Sequence, residues 1–261
     1  MQLTLRDIKV LKALDKLRVM DIDTIQKLCG FPAYNKCADR LAILYKNNYL
    51  QFEQFAVSTK RYYFLTQKGM NVICPGEKRI SKSGKEYIFY RDPPAFNISN
   101  LNHELITAKV LVYVLKCNPE LTIDDFKSDR EMQSFSYLQR KTFRHCCDLL
   151  CEKYRVKIEV ELSKKDNIRI SRNISLNNNT YVQLWITSQN DVYNRLIKEK
   201  SNYRNFNIVV VKLDELEKES IILSKLYEDL LKSNPKILNE IRELEELRKK
   251  KAKQLSINDI G

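Results

Sequence analysis

Two groups of side chains in this sequence are spaced to do chemistry on a polyanion. The first is acidic. Asp148 stands ahead of Lys157-Ile158-Glu159-Val160-Glu161, and Lys164 and Lys165 follow. On a strand, Glu159 and Glu161 share one face, and Ile158, Val160 and Leu162 share the other. Residues 143–150 and 156–162 read as the arms of a hairpin. If Glu152 pairs with Arg155, Asp148 falls opposite Glu159. Asp148, Glu159, Glu161 and Lys165 together could hold Mg²⁺ and stabilise a phosphodiester transition state. A solvated strand face carries the same alternation of Lys and Glu, so spacing alone leaves both readings open.

The second group is polar and basic. Tyr34, Asn35 and Lys36 open an amphipathic segment, and Arg40 lies one turn on. Asn can pair bidentately with adenine, and Lys and Arg can read guanine or hold phosphate. Lys60 and Arg61 fall near the tip of a hairpin, where they would grip DNA backbone beside the groove. These six residues form the expected DNA-binding set.

Three helices and a hairpin must position that set. Thr4 and Asp7 read as a capping box ahead of Ile8, Leu11 and Leu14. Asp21 or Asp23 caps a second short helix, which Gly30 ends. Phe31-Pro32 turns the chain into a third helix over about 33–46, with Cys37, Leu41 and Leu44 as its buried stripe. Residues 49–55 and 61–65 alternate as strands. That order predicts a winged helix-turn-helix over residues 1–73, whose third helix would enter the major groove. The same order could also serve as a packing or protein-binding module.

Residues 74–98 carry Cys74-Pro75-Gly76, Ser81-Lys82-Ser83-Gly84 and Asp92-Pro93-Pro94, and read as a linker with one short strand over 87–90. From residue 99 to 213 helices and strands mix. Asn102 is expected to cap a helix, 121–126 to form a strand, and 181–187 and 207–211 to form two more around a helix over 191–199. This implies an α/β sheet. Residues 214–261 read as a helical tail that ends in Arg248-Lys249-Lys250-Lys251 and Lys253. Its apolar stripes could pair two subunits, and its positive end could add non-specific DNA affinity.

Composition supports a polyanionic partner. Lys and Arg number 46 against 33 Asp and Glu in 261 residues, a formal charge of +13. Each phosphate neutralised releases counterions. No run of about 18 apolar residues predicts a membrane span. Seven cysteines lack framework spacing and read as reduced thiols of a cytoplasmic protein. His145, Cys146, Cys147 and Cys151 do not have zinc spacing and read as buried thiols. No glycine-rich phosphate loop is present.

Taken with these motifs, the chain resembles the plasmid replication-relaxation family. The N-terminal resemblance rests on Leu5-Arg6-Asp7, Arg40-Leu41, Tyr49-Leu50 and Phe64-Leu65-Thr66-Gln67-Lys68-Gly69. Asn102-His103-Glu104-Leu105 looks like the opening of that family's second domain. Asp148 and Glu159-Val160-Glu161-Leu162-Ser163-Lys164-Lys165 look like its restriction-endonuclease-like core. The resemblance implies an α+β protein: a winged helix-turn-helix, then a PD-(D/E)xK-type α/β domain, then a helical tail. It implies metal acids at Asp148 and at Glu159 or Glu161, with Glu104 as a further ligand. Cys147 stands where such nucleases commonly have Pro, and Glu161 stands where the motif wants Lys, with Lys165 as a substitute. These departures favour a catalytically silent DNA-binding core over a cutting one.

The expected function is double-stranded DNA binding in the replication, conjugative transfer or regulation of a plasmid or other mobile element, with replication or transfer proteins as further partners. A metal-dependent endonuclease or nickase, with Mg²⁺ as its cofactor, is one alternative. A winged-helix protein-protein adaptor is another.

Overall fold

The computed structural model describes residues 1–55, 60–81, 83–95, 97–138, 146–163, 167–176, 180–202, 207–239, 241–243 and 246. The chain is a mixed α+β protein that divides into two compact units, Met1–Asp124 and Asp125–Gly261.

The first unit begins with α1 (Leu5–Leu17), held by a reciprocal cap. The Thr4 N–H donates to Asp7 Oδ2 at 2.6 Å, and the Asp7 N–H donates to Thr4 Oγ1 at 3.3 Å. A two-residue strand, β1 (Met20–Asp21), leads into α2 (Ile22–Cys29). Of the two candidate caps it is Asp21 that serves, accepting the Thr24 N–H at 2.9 Å. Gly30 closes α2 at φ +70°, a left-handed conformation that costs a side-chain-bearing residue strain. Next come α3 (Tyr34–Lys46), β2 (Leu50–Glu53), β3 (Tyr62–Leu65) and α4 (Gln67–Ile73). The three strands form an antiparallel sheet in the order β1-β3-β2, with Met20 opposite Tyr63 and Leu50 opposite Leu65. Leu11, Leu14, Ile25, Leu41, Leu44 and Met70 fill the core between helices and sheet.

Helix α4 sits close against the turn after α3. A Cβ built on Gly69 would meet the Tyr49 carbonyl oxygen at 2.2 Å. Thr66 Oγ1 donates to Asn48 O at 2.6 Å, and Lys68 Nζ donates to Asn47 O at 3.0 Å. These bonds satisfy carbonyls of the turn that follows α3.

The linker segment folds as an antiparallel ribbon, β4 (Glu77–Ile80) with β5 (Glu86–Phe89), in which every residue is exposed. Helix α5 (Leu101–Cys117) follows. Asn102 lies inside α5 and does not cap it; Asn97 instead accepts the Ser99 N–H at 3.0 Å in the turn that leads in. Helix α5 packs on α1, α2 and β1, so residues 99–124 belong to the first unit, not to the second as the sequence suggested.

The second unit holds β6 (Phe126–Ser128), α6 (Asp129–Leu138), β7 (Leu149–Cys151), β8 (Val156–Glu161), α7 (Asn167–Leu176), β9 (Val182–Thr187), α8 (Asn190–Asn202), β10 (Asn207–Lys212) and α9 (Leu223–Ser233). The expected strand over 121–126 is displaced: a short helical turn over Ile123–Asp125 precedes β6. The sheet order is β10-β9-β8-β7-β6. Strands β6, β7 and β8 run antiparallel, while β8, β9 and β10 run parallel through helical crossovers. Trp185 and Ile208 pack with Ile170 and Ile174 of α7 and Val192 and Leu196 of α8. Helix α9 packs on β8 and β9, so the expected tail joins this core. The basic run 248–253 lies outside the described residues.

Candidate nucleic-acid interface

Helix α3 is amphipathic with a period that leaves one stripe to solvent. Cys37, Leu41 and Leu44 are fully buried. On the opposite side Asn35, Asp39, Ala42 and Lys46 are exposed, four residues that recur at helical spacing. Tyr34 and Lys36 complete an exposed first turn that contains no acid, and Ala33 before it offers no side-chain cap. Of the six residues expected to touch DNA, Tyr34, Asn35 and Lys36 are thus presented together.

The other three are engaged within the fold. Arg40 is turned away from the exposed stripe. Its Nε donates to Asp7 Oδ1 at 2.7 Å, its terminal nitrogen bonds Asp7 Oδ2, and the same nitrogen reaches Gln2 O at 3.3 Å. Asp7 is fully buried. Burial alone would raise its carboxyl, but the Arg40 and Thr4 hydrogen bonds and the Arg40 charge outweigh it and hold the group below the usual carboxylate range. An arginine held this way cannot also fork onto a base.

Lys60 forms an ion pair with Asp23 and lies 3.8 Å from Asp21 Oδ2. Arg61 stacks over the Phe52 ring at 4.6 Å and reaches Gln54 Oε1 at 3.5 Å. The Lys60 pair ties the base of the β2–β3 hairpin to the start of α2, and the Arg61 contacts stay within the hairpin. The tip, including Ser58 and Thr59, lies outside the described residues. Asp39 and Lys46 were not in the expected set, although the Cys37-Leu41-Leu44 period already places them on the outward face.

Compared with known proteins, the chain matches no family model, no curated protein and no solved structure. The family resemblance therefore rests on the motif residues themselves.

In the second unit the hairpin register is the expected one as far as Leu149. Leu149 pairs with Ile158 and Cys151 with Val156, and the paired register ends there: the Asp148 N–H goes to Ile158 O, so the regular ladder does not carry on to the expected Asp148–Glu159 pair. The Arg155 N–H donates to Glu152 O at 3.2 Å and closes the turn, with Arg155 itself at φ +51°. Asp148 still bonds β8: its N–H donates to Ile158 O at 3.1 Å, and its Oδ2 accepts the Val160 N–H at 2.6 Å.

Glu159 and Glu161 are both buried. Glu161 Oε1 accepts the Ser163 N–H at 3.2 Å and Ser163 Oγ–H at 2.9 Å. The residue the spacing argument passed over is Lys157, two before Glu159 and on the same face. Burial pushes its amine below the usual lysine range, against the opposing pull of Cys147, Glu159 and Cys146. Its Nζ lies 4.9 Å from the Tyr181 ring centre. Lys165 lies outside the described residues.

Glu104, the further ligand the resemblance implied, belongs to the other unit. It sits on α5 of the first unit, where Arg18 Nη1 bonds its Oε1 at 2.9 Å. Among the described residues no three His, Cys, Asp or Glu side chains come together to hold a metal ion. Burial pushes the Cys146 thiol up to about 11 and the Cys147 thiol well above its ordinary value. His145 lies outside the described residues. No helix among the described residues is long and apolar enough to cross a membrane.

Proposed function

We propose that residues 1–73 form a winged helix-turn-helix that binds double-stranded DNA. On this reading α2 and α3 are the helix-turn-helix, and β2–β3 is the wing. The observation that carries it is the first turn of α3: Tyr34, Asn35 and Lys36 stand exposed, on a helix whose opposite face is fully buried. A helix of this width fits the major groove, and side chains at its start are the ones that reach base edges. The +13 charge of the chain supports a polyanionic partner.

The second unit acts on this reading as a restriction-endonuclease-like core without cleavage chemistry. An antiparallel run of three strands that passes through a helical crossover into parallel strands supports that core. The acids serve the fold there, with Asp148 holding the Val160 N–H and Glu161 holding Ser163. We place the protein in the replication, transfer or regulation of a plasmid or other mobile element, on the strength of the motif resemblance.

The test is titration of the full chain against mixed-sequence duplex DNA at several salt concentrations. Affinity should fall steeply with salt, and Lys36→Ala should weaken it. Absence of binding at low salt would sink the proposal.

A further inference from the structure

From α1 to α3 the acids serve the fold, with one exception. Asp7 is bound by Arg40, Asp21 caps α2, Asp23 pairs with Lys60, and Asp15 lies 3.6 Å from Arg91. Asp39 has no such role. It is exposed, and among the described residues no hydrogen bond or ion pair ties it to another side chain. It stands in the middle of the outward stripe of α3, one turn after Asn35. A carboxylate that faces DNA phosphates is repelled unless something at that position donates to it.

The major groove limits what that donor can be. An ionised carboxylate only accepts hydrogen bonds. Guanine and thymine present acceptors at their major-groove edges, while cytosine presents the N4 amino group and adenine its N6 amino group. An acid on a groove-facing helix therefore rejects guanine and thymine on the strand it meets, and cytosine offers it a donor without a neighbouring acceptor. Asn35, with both a donor and an acceptor, suits adenine N6 and N7. Residues four apart on a helix are separated by about 6 Å along its axis. Successive bases of one strand are about 3.4 Å apart.

We propose that Asn35 and Asp39 form a two-base reader, with Asn35 selecting adenine and Asp39 selecting cytosine one or two base pairs away. The proposal rests on the DNA-binding reading above and adds to it which bases the site takes. Lys36, beside them, supplies sequence-independent phosphate contact.

Selection from a pool of random duplexes, with the full chain and its Asn35→Ala, Asp39→Ala and Asp39→Asn variants, tests this. Both positions are exposed, so thermal unfolding of the variants should match the parent. The parent should enrich adenine and cytosine within two base pairs of each other. Asp39→Ala should lose about tenfold discrimination at the cytosine while keeping the adenine. Asp39→Asn should move the preference at that position from cytosine to adenine. If the variants bind DNA with the parent's sequence preference, and Asp39→Ala only tightens all sequences equally, the two-base reader is wrong while DNA binding stands. If neither parent nor variants retain any duplex, the DNA-binding reading fails and this inference goes with it.

Discussion

Arg40 donates its Nε to Asp7 at 2.7 Å, and Asp7 is the same carboxylate that closes the cap of α1. One buried acid thus joins the start of the first helix to the middle of the third, across 33 residues of chain. Arg40→Leu should therefore cost folding stability, about 3 kcal/mol by the usual penalty for stranding a buried charge.

The effect should depend on pH. Asp7 is held below its ordinary value of 3.8, so its contribution is complete above that pH and is lost as pH falls through the lower folded value. The gap between the parent and Arg40→Leu, read by urea unfolding, should be wide at pH 7 and shrink toward pH 3. A gap that stays constant would mean the pair contributes nothing through charge.

Lys36 and Lys60 should separate cleanly. Lys36→Ala should leave the melting temperature unchanged and lower the salt slope of DNA binding by about 1, the loss of one phosphate contact. Lys60→Ala should act mainly on the fold. Its partners Asp23 and Asp21 hold an exposed cation, so the cost should be small, roughly 0.2–1 kcal/mol. If Lys60→Ala weakened binding as much as Lys36→Ala at unchanged stability, Lys60 would be a DNA contact after all.

Gly69→Ala should destabilise the first unit. The added methyl would lie 2.2 Å from the Tyr49 carbonyl oxygen, a backbone atom that cannot rotate aside. Overpacking of this kind typically costs about 1–3 kcal/mol. A melting temperature equal to the parent's would show that α4 can shift away from the turn at no cost.

Asp148→Ala should also report on folding. It removes the acceptor of the Val160 N–H and leaves that donor unmatched, for a loss of about 1–3 kcal/mol. Asp148→Asn keeps an acceptor oxygen and should recover most of the loss. A stable Asp148→Ala protein that had lost a metal-dependent nicking activity of the parent would instead restore the endonuclease reading.

Local signals in the first unit were readable because they are local. The Thr4–Asp7 box, the Asp21 cap, the Gly30 stop and the Cys37-Leu41-Leu44 stripe each depend on residues within a turn or two. The Leu149–Ile158 register was readable for the same reason, since one tight turn over 152–155 sets it, but the slip at Asp148 was not. What escaped was short or distant. The strand β1 has two residues, too few to show alternation, and α4 has seven with a glycine inside. The partners of Arg40 and Lys60 lie 33 and 37 residues away, where spacing carries no information. Helix α5 is apolar over much of its surface, so nothing in its sequence said which unit it would join.

Trp185 is the only tryptophan in the chain, and it is buried between the sheet and helices α7 and α8. Indole emission from this protein is therefore an optical signal of one half alone. Unfolding followed by fluorescence tracks the second unit, while far-ultraviolet circular dichroism sums the helices of both. Any separation between the two melting curves would measure how independently the two units lose structure, without a single label being introduced.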